Sequence, residues 1–168
     1  IRCRHLRMST ERTRTMEIGD RRVGTGYATY VVAEMSANHN NDYQQAVDII
    51  HAAKKAGADA VKLQTYTPDT LTLDADNEHF RISGTLWEGR TLHDLYSEAY
   101  MPWDWQPKLK AVADDVGLHL LSSPFDDTAI ALLQEMDVPA FKVASFENID
   151  LGLLRKIAAT GKPIIMST

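Results

Sequence analysis

From Tyr27 onward the chain repeats one hydrophobic pattern: a short apolar run ending in polar residues, a stretch with apolar positions at helical spacing, then a glycine or proline turn. That is the signature of βα units. Strands are predicted over 29–36, 60–65, 118–122, 140–145 and 163–167. The first helix starts at Asn41 or Asp42, carries Ala46, Val47, Ile49, Ile50 and Ala53, and stops at Gly57. A helical piece at 92–99 and, after Pro102, a helix over 104–116 ended by Gly117 fill a longer insertion. The next helix begins at Asp126 or Asp127 with Ile130, Leu133 and Met136 inside it. The last is capped by Asp150, carries Leu151, Leu154, Ile157 and Ala158, and ends at Gly161.

Repeating βα units imply a parallel sheet with right-handed crossovers. Two closures compete: an open five-stranded sheet with helices on both faces, or the first part of an eight-stranded barrel. An open sheet needs a further helix after its fifth strand and gathers its site at one switch point. Here polar residues end every strand and no helix follows 163–167, so the fold expected is an α/β (β/α)8 TIM barrel, incomplete, represented by about its first five strands. Residues 1–15 carry several arginines without hydrophobic periodicity and read as a disordered leader. The expected division is a leader and N-terminal extension over 1–26 and the first part of a barrel domain over 27–168.

Composition narrows the function classes. A chain of 168 residues with 44% hydrophobic and 24% charged positions is an ordinary globular sequence. A net charge of −5 with mixed signs offers no basic stripe for nucleic acid and no polybasic helix for a membrane. The single cysteine, Cys3, excludes an internal disulfide and any cysteine-based zinc cluster, so a cytoplasmic location is expected.

Candidate chemistry lies at the strand ends. Two apolar strands each carry a lysine, Lys62 in Ala60-Val61-Lys62-Leu63-Gln64 and Lys142 in Ala140-Phe141-Lys142-Val143. Alternation puts Lys62 and Gln64 on one face, and a repeated charge inside a covered parallel sheet costs solvation unless an anion or carboxylate answers it. The strand ends in order supply Glu34 and Ser36, Lys62 and Gln64, Ser122 and Ser123, Lys142, Ser145 and Glu147, then Ser167 and Thr168. In a barrel these converge above the lumen as a cradle for phosphate and carboxylate, with glutamates for acid/base work. The competing structural reading is a pair of buried ion pairs, Lys62 with Glu34 and Lys142 with Glu147. Asn38 and His39 follow the first strand in a polar loop. His39 on its own reads as a solvated or capping residue, and the histidines show no ligand spacing, so no metal ligand is assigned in this chain. Trp87, Trp103 and Trp105 read as helix packing rather than as the floor of a sugar site. No GxGxxG, P-loop or GxSxG occurs.

The residues also resemble a known family. Ala33-Glu34-Met35-Ser36-Ala37-Asn38-His39, then Gly57 to Gln64, Ser122-Ser123-Pro124-Phe125, and Phe141 to Glu147 resemble, in that order, the motifs of the sialic acid synthases. The Ser-Phe-Glu at 145–147 and the insertion from Gly84 to Trp105 are most similar to the pseudaminic acid synthase branch. The resemblance implies condensation of phosphoenolpyruvate with an N-acetylated amino sugar, for that branch a 2,4-diacetamido-2,4,6-trideoxy-altrose, with release of phosphate. By matched position it implies Lys62, Lys142, Ser123 and Ser145 on phosphoenolpyruvate, Glu147 in proton transfer and water placement, and Glu34 and Gln64 toward the sugar, with Asn38 a further substrate-binding candidate. It further implies a divalent metal, manganese or magnesium, a homodimer, and a C-terminal antifreeze-like domain; the metal ligands and that domain would lie beyond Thr168. A chain of five strands is accordingly expected to be a fragment inactive alone. The rivals are a Schiff-base lysine aldolase using Lys62 or Lys142, and a non-catalytic anion-binding half-barrel.

Overall fold

The computed structural model describes residues 15–167. Its main sheet has five parallel strands in the order of the sequence: β3 (Val32–Glu34), β4 (Ala60–Thr65), β5 (His119–Pro124), β6 (Phe141–Val143) and β7 (Ile164–Met166). Neighbours in sequence are neighbours in space throughout. A doubly wound sheet would reverse this order at a switch point, whereas winding in one direction sends every crossover to the same face and curls the sheet. The result is a curled half-barrel, as expected for the first part of a barrel. Between the strands lie α1 (Tyr43–Lys55), α2 (Pro68–Leu71), α3 (Leu92–Ala99), α4 (Gln106–Asp115), α5 (Asp127–Glu135) and α6 (Leu151–Ala159).

The caps explain the helix bounds. Asp42, Asp126 and Asp150 each accept backbone N–H groups of the first turn, for example Gln44 N at 2.8 Å and Leu153 N at 3.0 Å. Helices α1, α4 and α6 stop just before Gly57, Gly117 and Gly161, as the sequence predicts. The apolar stripes of α1, α4, α5 and α6 bury Ile50, Leu109, Leu133 and Ile157 against Val61, Leu63, Leu120, Phe141 and Val143 of the strands. One face of the sheet is thus committed to the helices. The other face supplies the lumen.

The base of the lumen is closed by an element the sequence reading left outside the fold. β1 (Thr15–Ile18) and β2 (Arg21–Gly24) form an antiparallel hairpin. Ile18 leaves it to pack with Ala60, Leu121 and Ala140, backed by Val23, Tyr30, Val32 and Ile165. The turn residue Gly19 has φ +59°, and a Cβ there would lie 2.6 Å from Nε2 of His119. Only glycine fits both the backbone and that approach. The His119 ring is held by the Tyr30 hydroxyl at 2.7 Å and by Asp20 at 3.0 Å, while Arg21 pairs with Asp59 at 2.5 Å. Except for Thr15, the leader of 1–15 lies outside the described residues.

Three strands are shorter than predicted, β7 by one residue at each end of the expected 163–167 and the other two by more. β3 covers three residues of the expected 29–36, because Val31 donates its N–H to the Asp59 carboxylate and Ser36 takes φ +50°. β6 covers three residues of 140–145, and the chain then turns through Ser145 and Phe146 into a short helical turn at Glu147–Ile149.

Candidate active site

Register places the lumen residues in layers. Glu34 lies beside Lys62, which lies beside Leu121; one layer up, Gln64 lies beside Ser123. Phe141 aligns with Ser122, so Lys142 joins the Gln64 and Ser123 layer. The two lysines therefore share the lumen face at neighbouring heights. Lys62 forms an ion pair with Glu34, whose other oxygen accepts the Ser36 N–H at 3.2 Å. Lys142 does not pair with Glu147. It donates instead to the Val143 carbonyl at 2.5 Å and to the Ser167 hydroxyl at 2.6 Å. The ion-pair reading holds for the first lysine and fails for the second.

An ammonium has three N–H donors, and Lys142 uses two within the protein. Burial pushes its pKa below the ordinary 10.5, and the nearby positive charge of Lys62 pushes it further, against smaller opposing effects from Glu34 and Glu147. Such a cation is undercompensated. Glu147 is the complementary case: its Oε2 is buried and accepts no hydrogen bond from the described residues. A buried carboxylate oxygen left unpaired is costly, so the site as it stands lacks a donor at that point.

Glu147 also lines a cleft of about 720 Å³ at the C-terminal end of the strands. Ser36, Asn38 and Gln64 line it with Glu147, and Tyr66, Trp87, Tyr96, Phe125 and Phe146 supply aromatic surface. Asn38 is held by donating to the Met35 carbonyl at 2.9 Å and accepting from the Gln45 amide at 2.5 Å. Tyr66 stacks edge-on against Tyr96 and Phe125 with centroids 5.8 and 5.6 Å away, and burial pushes its phenol up to about 12. It stays neutral. Lys62, Lys142 and the buried Ser123 lie on the lumen face below the cleft wall, while Ser145 is exposed on the turn before Glu147.

Several sequence expectations change here. Ser122 does not face the lumen; its hydroxyl is 2.7 Å from that of Thr65, which in turn donates to Gln106 among the helices. Strand alternation allows only one of Ser122 and Ser123 on the lysine face, and register selects Ser123. His39 is buried rather than solvated, accepting the Asn41 N–H at Nδ1 and standing edge-on to Trp105 at 6.0 Å. Trp105 and Trp103 pack as expected, the latter donating to the Tyr66 carbonyl at 3.0 Å, but Trp87 lines the cleft. The aromatic wall of Tyr66, Tyr96 and Phe125 was missed, because nothing in the spacing of single aromatics across strand ends and an insertion marks a shared surface.

Among the described residues no three of His, Cys, Asp or Glu converge as a metal site requires, and no helix is long and apolar enough to cross a membrane. A second hollow of about 330 Å³ lies at the opposite end, beside Gly19 and His119. Its lysines are already paired, Lys110 with Asp114 and Lys162 with Asp137, so it offers no free cation.

The NeuB family profile matches residues 49–168. The chain belongs to the NeuB family. Among the relatives of this NeuB-family chain, the pseudaminic acid synthase of Helicobacter pylori is 47% identical over 138 residues, spanning 82% of this chain and 41% of that protein. The crystal structure of the spore coat polysaccharide biosynthesis protein SpsE from Bacillus subtilis superposes with a TM-score of 0.72 at 30% identity, covering 92% of this chain and 40% of SpsE. The N-acetylneuraminic acid synthetase of Leptospira borgpetersenii, solved with citrate, superposes with a TM-score of 0.76 at 23% identity over 92% of this chain and 49% of its own, and shares the fold. The chain thus spans less than half the length of these relatives.

Proposed function

We propose that the whole protein condenses phosphoenolpyruvate with an N-acetylated amino sugar, forming a nonulosonic acid of the pseudaminic type and releasing phosphate. One observation carries this reading: Lys62 and Lys142 share the lumen face, and one of them is undercompensated, below a cleft whose wall carries the unpaired Glu147 oxygen. The 47% identity to a pseudaminic acid synthase supports the choice of reaction.

The chemistry asks three things of the protein. Carbon 3 of phosphoenolpyruvate attacks the sugar aldehyde, water adds at carbon 2, and the bond between carbon 2 and the bridging oxygen breaks as phosphate leaves. Lys62 and Lys142 hold the carboxylate and phosphate by charge-assisted hydrogen bonds, with Ser123 beside them. Glu147 accepts the proton of the water that adds at carbon 2. Gln64 and Asn38, on the cleft wall, orient the sugar. A divalent cation would polarise the aldehyde when bound, and the described residues do not provide a full ligand set for it.

The test is the full-length protein with phosphoenolpyruvate labelled with 18O at the bridging oxygen. Label recovered in the released phosphate, dependent on added sugar, is the expected result. Phosphate release without sugar would overturn it. The lowered pKa of Lys142 favours one second reading, a Schiff-base aldolase. A pyruvate adduct on Lys142 trapped by borohydride would establish that alternative instead.

A further inference from the structure

Three apolar stripes turn polar at the same end of the fold. On the helix-facing side of β4 the row runs Val61, Leu63, Thr65, and on β5 it runs Leu120, Ser122. The buried face of α4 runs back through Ala113 and Leu109 to Gln106. Alternation and helical spacing put each polar residue in line with its apolar neighbours, and each is as buried as they are: Thr65, Gln106 and Ser122 are all 0% exposed. Register sets Ser122 beside Leu63, so Thr65 lies diagonally beyond it, toward the C-terminal end of the strands. A core filled for burial alone would hold apolar side chains at these three positions.

The three groups satisfy one another in a directed chain. The Thr65 hydroxyl donates its one proton to Oε1 of Gln106 at 2.7 Å, so the Ser122 hydroxyl, 2.7 Å from it, donates to Thr65. Nε2 of Gln106 then donates to the Gln64 carbonyl at 3.4 Å. Trp103, in the turn that leads into α4, adds a second tie by donating its indole N–H to the Tyr66 carbonyl at 3.0 Å. The end of β4 is therefore strapped to β5 and to the start of α4. Gln64 and Tyr66, the two residues whose carbonyls are held, both line the cleft. A closed set of buried hydrogen bonds adds little net stability over apolar packing of the same shape, but it admits one arrangement where apolar side chains can slide.

We propose that Ser122, Thr65 and Gln106 are positioning residues that act through Gln64, fixing where its side-chain amide meets the sugar. This rests on the synthase reading above and adds to it which buried side chains set the place of Gln64. None of the three reaches the lumen: they are buried on the helix face of the sheet, and alternation sends the Gln64 side chain to the opposite face. Placement matters because an orienting group displaced by about 1 Å can cost about 10²-fold in rate. Removing one hydroxyl leaves its partners unpaired. Removing all three polar groups together, by Thr65→Val, Ser122→Ala and Gln106→Met, leaves only the Gln64 carbonyl without its side-chain donor.

The experiment measures sugar-dependent phosphate release by the full-length protein, with phosphoenolpyruvate and 2,4-diacetamido-2,4,6-trideoxy-altrose, beside thermal unfolding of each variant. The triple variant is expected to unfold near the wild-type midpoint and to lose about 10- to 100-fold in kcat/KM. Gln64→Ala alone is expected to lose a similar amount, and the triple substitution added to it at most about threefold more, since a side chain already removed cannot be misplaced. Thr65→Ser, which keeps the hydroxyl, is expected to stay within about threefold of the wild type, while Thr65→Val, the closer match in shape, falls by about 10-fold. Full activity in the triple variant, or an equal loss with and without the Gln64 side chain, would overturn the inference and leave the reaction standing. If the triple variant fails to fold, the Thr65 pair decides: Val equal to or better than Ser would overturn it. Absence of sugar-dependent phosphate release in the wild-type protein would overturn the synthase reading as well.

Discussion

Lys142 and Glu147 divide the work of the site between a cation with too few counter-charges and an anion with too few donors. Replacing Lys142 with Met removes a charge-assisted hydrogen bond and is expected to weaken phosphoenolpyruvate binding by about 10- to 100-fold in calorimetry on the full-length protein. Glu147→Gln keeps the shape and removes the base, so kcat is expected to fall by about 10²- to 10⁴-fold with a smaller change in KM. The pH dependence has a definite sign. Lys142 is shifted below 10.5 by burial and by Lys62, and only its protonated form attracts the anion. Affinity should therefore be full below the folded pKa and fall as pH rises through it, at a pH lower than an ordinary lysine would give. Lys142→Arg, which stays charged, is expected to remove that alkaline fall.

The elements were legible where local chemistry decides them. Asp42, Asp126 and Asp150 lie at their predicted caps, and the glycine stops fall where expected, because a cap is a contact between near neighbours in sequence. The hairpin of β1 and β2 escaped because its one deeply buried side chain, Ile18, gains its contacts from Ala60, Leu121 and Ala140 far along the chain. That reliance makes it testable. Ile18→Ala is expected to cost about 2 to 5 kcal/mol in equilibrium unfolding, and Asp42→Ala about 1 kcal/mol. Helices α2 and α3 are joined by His93, 3.0 Å from Asp69, and the hydrogen bond to Asp69 raises the histidine pKa above 6.5. Its contribution is complete below 6.5 and lost as pH rises through the folded value, so amide exchange in α2 and α3 should quicken over that window.

Across the whole molecule, sequence order and spatial order coincide, and that is why the half-barrel could be read before any coordinates: each βα unit predicts its own neighbour. The lysine face was readable for the same reason, since alternation is a strand's own property. The aromatic lining of the cleft was not, because Tyr66, Trp87, Phe125 and Phe146 come from separate loops that only the curled sheet gathers. The hairpin lies at the strands' N-terminal ends, on His119, and the cleft opens at their C-terminal ends. With Cys3 replaced by Ser, a solid support coupled through an engineered cysteine at the exposed Glu17 would therefore orient every molecule with its substrate entrance toward the bulk liquid.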